Sequence, residues 1–301
     1  MIRRLRRLAL GFTAVAVVIV LGLGALVATW LAGVRLPGAA AAPAISVTKI
    51  PSQGGASRAA GGPDAPFFVL LVGNDSRPGV GGARGDALHV VGVNPKRHEA
   101  SMINIPRDTC WNGDKINVGN TRGPRAQADA VSGLTGVPVD YVIDVDFAGF
   151  MALVDGVGGV EVNVPVAMSD SYTGAYFPAG RMRMNGGQAL AFARNRHDFP
   201  DSDISRTYNQ GLLILDGLRE LRRTQNSALG EFRLLTLLGR HARVDGIGLT
   251  ELLRLSRTAF ALNPDTIDNV TIPYTGGGCL GLGAGATELF ADFRADGIIG
   301  G

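Results

Sequence analysis

The chain has 301 residues, 46% of them hydrophobic, with 43 glycines and two cysteines. This composition is sufficient for a packed core, and it excludes a collagen-like repeat, a disulfide-dense mini-protein and disorder throughout. The formal charge is +3, but without the four arginines among the first seven residues the chain has 25 basic and 26 acidic residues. Since the basic excess is confined to one end, we expect no nucleic-acid partner.

The amino terminus has the pattern of a membrane anchor. Residues 8–34 contain no charged side chain, and a helix needs about 20 apolar residues to cross a bilayer. A cleaved signal peptide has a shorter apolar region, and the cleavage site that Ala39 to Ala42 offers lies late. The positive-inside rule therefore predicts a cytoplasmic basic tail over 1–7, a single transmembrane helix over 8–34 and an extracytoplasmic domain.

Residues 35–65 are rich in Pro, Gly and Ala without a hydrophobic period, which predicts a flexible linker before a domain over 66–301. In that domain short apolar runs alternate with longer stretches of helical period, so we expect a layered α/β fold. The predicted strands are 67–72, 87–93, 100–105, 141–145, 160–164 and 268–272. The predicted helices are 125–134, 147–154, 187–194, 203–221, 229–239, 250–262 and 288–293.

Cys110 and Cys279 are the two cysteines of the chain. Two thiols outside the cytoplasm usually pair, which predicts a disulfide between the Gly-rich carboxyl-terminal tail and the loop after Arg107. The alternative is two separate buried thiols. The four histidines have no metal-binding spacing, and neither a P-loop nor a nucleophile elbow is present.

Charged residues cluster at the ends of the first three predicted strands. Asp75 follows the first strand, Arg84 and Asp86 open the second, and Arg107 follows the third. Groups at strand ends converge on the crevice where α/β proteins bind ligands. Two carboxylates there suit Mg²⁺, which takes one or two protein carboxylates together with water and phosphate oxygens. The simpler alternative is that Asp86 forms a surface ion pair with a nearby arginine.

A second polar group comprises Arg194, Arg196, Arg206 and Gln210. Arg206 and Gln210 share one helix face, whereas Arg194 and Arg196 align only in an extended segment. Arginine forks bind phosphate through paired charge-assisted hydrogen bonds. The simpler alternative for Arg206 is an ion pair with Asp203. Together the two groups predict a cationic pocket for a polyanion.

Seven segments within residues 66–216 occur in the order that is typical of the LytR-CpsA-Psr (LCP) family, and the chain resembles an actinobacterial member of it. They are Val72 to Arg77, Arg84 to Asp86, Ile105 to Asp108, Lys115 to Asn117, Val154 to Val160, Gly187 to Arg196, and Asp203 to Arg206.

The resemblance implies a three-layer α/β/α domain with a central mixed sheet and a hydrophobic tunnel for a lipid. It implies a phosphotransferase of cell wall assembly. Such an enzyme uses Mg²⁺ and moves a glycopolymer with its phosphate from a polyprenyl-pyrophosphate carrier to a peptidoglycan hydroxyl. The implied partners are the lipid-linked glycan donor, the peptidoglycan acceptor and membrane lipid. Segments such as 147–154 and 212–218 would line the tunnel or form ordinary core.

By position, Asp75 and Asp86 match the family's Mg²⁺ ligands, and either is a candidate for the base that activates the acceptor, with Asp75 preferred. The expected catalytic residues are Asp75, Asp86 and Arg107. The residues that match the family's pyrophosphate-binding set are Arg84, Arg107, Arg194, Arg196, Arg206 and Gln210.

The chain departs from the family pattern at three places. Asn104 stands where the family usually has Ser, Asn209 where many members have Arg, and residues 118–120 differ after the Lys-Ile-Asn segment. The pyrophosphate set remains intact, but donor and acceptor preference stay open. Two other functions also remain open, namely hydrolysis of the pyrophosphate and non-catalytic binding of polyprenyl phosphate by a regulator.

Overall fold

The computed structural model describes residues 44–51, 62, 64–76, 83–224 and 242–300. The predicted cytoplasmic tail 1–7, transmembrane helix 8–34 and helix 229–239 lie outside these residues. Among the helices of the described part, none is both long enough and apolar enough to cross a bilayer.

The described residues form strands at the following positions: β1 (Ile45–Lys49), β2 (Phe67–Asn74), β3 (Gly85–Asn94), β4 (Glu99–Asn104), β5 (Cys110–Trp111), β6 (Asp114–Lys115), β7 (Tyr141–Asp146), β8 (Val160–Val164), β9 (Met168–Asp170), β10 (Ala175–Phe177), β11 (Gly180–Met184), β12 (Ala242–Asp245), β13 (Asp268–Thr271), β14 (Tyr274–Thr275) and β15 (Gly281–Leu282). The α-helices are α1 (Pro124–Thr135), α2 (Phe147–Gly156), α3 (Gly186–Arg194), α4 (Asp203–Thr224), α5 (Leu249–Ala261) and α6 (Ala286–Asp296). Short 3₁₀ helices occupy Ile116–Arg122 and Pro264–Thr266. The strands and helices predicted in these regions are confirmed to within three residues at each end.

Seven strands form the central sheet in the order β12-β1-β7-β2-β3-β4-β13. The hairpins β2–β3 and β3–β4 are antiparallel, whereas β2 pairs with β7, β1 with β12 and β4 with β13 in parallel. The expected α/β fold with a central mixed sheet is therefore confirmed.

Strand β1 lies inside the segment that composition predicts as a flexible linker. It pairs antiparallel with β7 and parallel with β12, and its Ile45 is buried. The prediction of a linker over 35–65 is therefore wrong for residues 45–49, and the sheet begins before residue 66. The alternating Ile-Ser-Val-Thr-Lys pattern is typical of a strand, but the surrounding Pro and Gly residues obscure it.

Helices cover both faces of the sheet because β2 and β3 are apolar on both sides. On one face Phe68, Leu70 and Val90 pack against α1 and α6, where the rings of Phe68 and Phe293 meet edge to face with centroids 5.3 Å apart. On the other face α4 and α5 pack over a cluster that includes Phe67, Met102, Tyr141, Leu215 and Leu262.

A disulfide joins Cys110 to Cys279, as the sequence predicts. The backbone of this region is also paired, because the Cys110 amide donates to the Leu280 carbonyl and the Leu280 amide donates to the Asp108 carbonyl. The Gly-rich tail is thus fastened to the loop that begins at Arg107.

Replacing Cys110 with Ser is expected to lower the stability of the protein by about 3–5 kcal/mol, because the disulfide closes a loop with a sequence separation of 169 residues. Thermal unfolding would measure the loss. The double variant Cys110→Ser/Cys279→Ser should unfold at the same temperature as the single variant. A clearly lower temperature for the double variant would mean that Cys279 contributes apart from the disulfide.

The hairpin β9–β10 is held by one buried carboxylate. Asp170 is 3% exposed, and its oxygens accept hydrogen bonds from the Tyr172 amide, the Thr173 hydroxyl and Nδ1 of His197 at 2.9–3.0 Å. Burial alone would raise the pKa of Asp170, but the hydrogen bonds from His197, Tyr172 and Thr173 outweigh it and hold the pKa below its ordinary value. The charged carboxylate therefore stabilises the fold.

Asp170→Asn is expected to unfold at a lower temperature than the unsubstituted protein at pH 7. A depressed folded-state pKa contributes stability above the unfolded pKa of about 4, and this contribution disappears as the pH falls through the folded pKa. The difference in melting temperature should therefore shrink between pH 5 and pH 3. A difference that stays constant over this range would contradict the role of the ionised carboxylate.

Candidate functional site

A cavity of about 980 Å³ lies between the sheet and the helices α2, α4 and α5. Strands β2, β3 and β7 form its floor. Most of the lining is apolar, and polar side chains concentrate at one end, which we call the mouth. The apolar lining includes Leu71, Ile143, Val145, Phe147, Phe150, Leu153, Leu190, Leu213, Ile214, Leu221 and Phe260.

The structure brings most of the predicted pyrophosphate set to the cavity. The residues of that set in its lining are Arg107, Arg194, Arg196, Arg206 and Gln210. Arg84, the remaining member, is exposed and does not line the cavity. The Arg84 backbone amide lies 3.3 Å from the Asp75 carboxylate, beyond the adjoining ends of β2 and β3.

A β-bulge directs Asp86 into the cavity. Gly73 pairs with Ala87 and Asn74 with Gly85, so Asp86 is the additional residue of β3 at this irregularity. Strict alternation would put Asp86 on the opposite face from Ala87 and His89, yet all three line the cavity. Bulges reorient side chains in this way. Asp75 follows β2 beside the bulge and does not line the cavity.

Two arginines and two aspartates form a connected ion-pair network at the mouth. Nη1 of Arg107 donates to Asp86 Oδ1 at 2.8 Å, and Nε of Arg107 lies 3.5 Å from Asp203 Oδ1. Nη2 of Arg206 lies 2.7 Å from the same Asp203 oxygen. The pairing of Arg206 with Asp203 that the sequence allows is thus present, but Asp203 also connects Arg206 to Arg107.

Burial and neighbouring charges affect the two arginines in opposite directions. For Arg107, burial lowers the pKa, but the hydrogen bond to Asp86 and the attraction of Asp203 outweigh burial and raise it above its ordinary value. Arg206 is 4% exposed, and its burial, together with repulsion from Arg107 and Arg196, lowers its pKa despite Asp203. The mouth is therefore a place where additional negative charge is stabilising.

Arg194 and Arg196 flank the end of α3. The guanidinium of Arg194 lies 5.1 Å from the centre of the Phe147 ring. The backbone at Asn195 is extended, so the helix ends between the two arginines, as required for both to reach one site. Nε2 of Gln210 donates to the Ala193 carbonyl at 2.9 Å and ties α4 to this end of α3.

Among the lining residues that the sequence analysis did not single out, three carry polar rings. Tyr172 and His197 stand at the mouth with ring centroids 4.9 Å apart, and Tyr172 is 84% exposed. His89 lies within the wall and is fully buried. No spacing rule singles out any of the three, although a histidine in an apolar strand is itself an unusual signal.

No three His, Cys, Asp or Glu side chains in the described part of the chain are grouped closely enough to form a metal centre by themselves. Of the two aspartates in the cavity lining, Asp86 pairs with Arg107, whereas Asp146 caps the amino terminus of α2. One carboxylate at the edge of an anion-binding pocket fits a Mg²⁺ ion that takes its other ligands from water and substrate phosphates.

The model of the LytR_cpsA_psr family matches residues 45–289 of this chain. The polyisoprenyl-teichoic acid–peptidoglycan teichoic acid transferase TagU of Bacillus licheniformis is 39% identical over 156 residues, which is 50% of each sequence. The chain thus spans about half the length of this relative.

Solved structures share the fold of this chain. A LytR-Csp2A-Psr enzyme from Actinomyces oris has a TM-score of 0.65 at 24% identity, over 77% of this chain and 91% of its own. TagV of Bacillus subtilis has a TM-score of 0.62 at 26% identity, over 75% of this chain and 94% of its own. The family match begins at β1 and extends to α6, so the chain belongs to the LytR-CpsA-Psr family.

Proposed function

We propose that this protein transfers a glycopolymer, with its phosphate, from a polyprenyl-pyrophosphate carrier to a hydroxyl of peptidoglycan. The observation that carries the proposal is a long apolar cavity whose mouth is lined by four arginines. A lipid pyrophosphate has the same division between an apolar chain and a compact anion. The relative TagU is named as a transferase of this kind.

The apolar part of the cavity supplies the site for the lipid chain. Side chains from α2, α4 and α5 enclose it, and burial of a hydrocarbon chain against them is favourable by about 25 cal/mol per Å². The pyrophosphate is then left at the mouth, where Arg107 and Arg206 meet. A bound lipid therefore positions its own head group.

The arginines hold the pyrophosphate and stabilise the charge that develops on the leaving group. Phosphoryl transfer depends on alignment and charge stabilisation more than on covalent help from the protein. Arg107 is fixed by Asp86 and Asp203, and Arg206 is fixed by Asp203. These donors are oriented before the substrate arrives, so little reorganisation accompanies the reaction.

We further propose that Asp86 and Asp75 hold Mg²⁺ at the mouth. Bound there, the ion would neutralise the pyrophosphate oxygens. Asp75 is the better candidate for the base that takes the proton of the acceptor hydroxyl, because it does not line the cavity that we assign to the donor, and the acceptor has to reach the phosphate from outside that cavity. Asp86 is already paired with Arg107, so its better role is to orient that arginine toward the donor pyrophosphate.

Residues 8–34 are proposed as a membrane anchor that places the domain outside the cytoplasm, where a lipid-linked donor and peptidoglycan meet. The support is the uncharged 27-residue segment preceded by four arginines.

Substitution of either member of the Asp86–Arg107 ion pair should lower the rate of transfer strongly. For the full-length protein in detergent with a short-chain polyprenyl-pyrophosphate glycan, Mg²⁺ and a peptidoglycan fragment, we expect Arg107→Ala and Asp86→Asn each to lower the transfer rate at least about 100-fold. The loss follows from removal of an oriented charge at the phosphate. The product is measured as glycan attached to the fragment.

The matched control is Arg125→Ala, which removes an exposed arginine from α1 on the opposite face of the sheet. It should retain the full rate. Phosphate release that is independent of the fragment would favour a hydrolase, and lipid binding without turnover would overturn the enzymatic proposal.

Gly217 on α4 offers a test of the lipid site. It lines the cavity, and a Cβ added there would have no atom within 4 Å. Gly217→Phe should therefore fill the cavity without disturbing the backbone and should weaken binding of long polyprenyl phosphates. Binding of a ten-carbon analogue should change much less.

Gly217→Ala is the control, since it gains about 1 kcal/mol of helix propensity but fills little volume. Titration of lipids of increasing chain length against both variants measures the effect. Equal affinities of the Phe and Ala variants for the long lipids would mean that the hydrocarbon chain of the lipid binds outside this cavity.

A further inference from the structure

His89 is a lining residue of the cavity and carries a buried, unpaired ring nitrogen. It lies on β3 three residues after Asp86, is 1% exposed and lines the cavity wall. Its Nε2 atom is buried without a hydrogen-bond partner among the described residues. The partner of His89 on the neighbouring strand β2 is Leu71, an apolar lining residue. His89 therefore lies where the polar mouth meets the apolar part of the cavity.

A chain of hydrogen bonds determines which ring nitrogen carries the proton. Nδ2 of Asn269 donates to the Tyr208 carbonyl, which can only accept. Oδ1 of Asn269 therefore accepts from Nδ2 of Asn104, and Oδ1 of Asn104 accepts from Nδ1 of His89, both at 2.6 Å. The neutral ring thus has its hydrogen on Nδ1, and Nε2 is a bare acceptor.

The packing of α4 accommodates this series of hydrogen bonds. A Cβ added to Gly211 of α4 would lie 2.2 Å from Oδ1 of Asn269 and 2.9 Å from Oδ1 of Asn104. The absence of a side chain at Gly211 therefore lets α4 approach the amide pair. Asn104, which stands where the family usually has Ser, has a definite partner in His89.

The ring remains neutral at ordinary pH. Burial lowers the pKa of His89 to about 4, with a smaller lowering by the charge of Arg206 and a partial offset from the bond to Asn104. The other charged groups that line the cavity are Arg107, Arg194, Arg196, Asp86 and Asp146, and Asp203 lies between Arg107 and Arg206 at the mouth. Nε2 is therefore available as an acceptor, and the ligand group that satisfies it must carry a hydrogen.

The donor substrate has no such hydrogen on its phosphates, because each phosphate of a pyrophosphate diester is a singly charged anion without an O–H. Transfer creates one. The acceptor oxygen forms a bond to the outer phosphorus, the bond from that phosphorus to the bridging oxygen breaks, and the hydroxyl proton passes to the base, for which we propose Asp75. The lipid departs as a phosphate monoester dianion, which carries a P–O–H group once it takes up one proton from that base or from water.

We propose that Nε2 of His89 accepts a hydrogen bond from the P–O–H group of the departing lipid phosphate, which makes this part of the cavity a subsite for the product. The inference rests on the proposed function and specifies a further residue for it. His89 distinguishes the protonated monoester from a diester of equal charge.

The test compares decyl phosphate with decyl methyl phosphate at pH 5.5, binding to the full-length protein in detergent. Both ligands are then mainly monoanions, since the second pKa of a phosphate monoester is about 6, but only the first has an O–H. We expect the monoester to bind about 3- to 10-fold more tightly, as one hydrogen bond provides. In His89→Met this preference should disappear, while His98→Met, the same change at an exposed turn, should retain it.

A second measurement does not depend on the stability of that variant. The ¹⁵N chemical shifts of the His89 ring should show the Nδ1–H tautomer, and in Asn269→Leu, which frees Asn104 to rotate, the Nε2–H tautomer should appear. An Nε2–H tautomer in the unsubstituted protein would overturn the proposal. A monoester preference that persists in His89→Met would also overturn it, because another acceptor, such as Oε1 of Gln210, would then bind the hydrogen.

The two proposals fail separately. If the unsubstituted protein shows no transfer activity but still prefers the monoester, the transferase proposal is refuted, and a lipid-phosphate site that contains His89 remains. Transfer with no monoester preference would refute the role of His89 alone.

Discussion

The burial of Arg206 is the constraint on which the site depends. A guanidinium that is 4% exposed cannot remain in a protein interior without counter-charge. Asp203 supplies it from the preceding turn of α4 and extends it to Arg107, which reaches Asp86 on β3. A helix, a loop and a strand bulge are thereby held in one relative position by electrostatic attraction.

This network lies against a largely apolar cavity, and each feature makes the other effective. Low polarity strengthens the interactions of the arginines with any bound anion. The arginines in turn give a direction to a cavity that would otherwise accept a hydrocarbon chain in either orientation. Recognition of a lipid pyrophosphate would then require both ends of the molecule at once, and neither a free lipid nor a free phosphate would satisfy the whole site.

Much of the fold follows from the sequence because strands such as Phe67–Asn74 and helices such as Pro124–Thr135 have clear apolar patterns and clear boundaries. Strand β1 is hidden by its Pro- and Gly-rich surroundings, and β12 becomes a strand only by pairing with β1. The charged residues at strand ends indicate the site. The bulge that turns Asp86 toward the cavity could not be predicted, because it depends on the register in which β3 pairs with β2. His89 is out of reach for a similar reason, since its environment is made by Asn104 and Asn269, which are distant in sequence.

The position of β1 also limits how far the domain can extend from a membrane. If residues 8–34 are the anchor we propose, ten residues separate its end from Ile45, and a fully extended chain of that length spans at most about 35 Å. A linker that continued to residue 65 would span about 105 Å. The domain would thus stay close to the membrane surface where a lipid carrier resides. The glycan chains of the peptidoglycan would then have to approach the membrane to reach the enzyme.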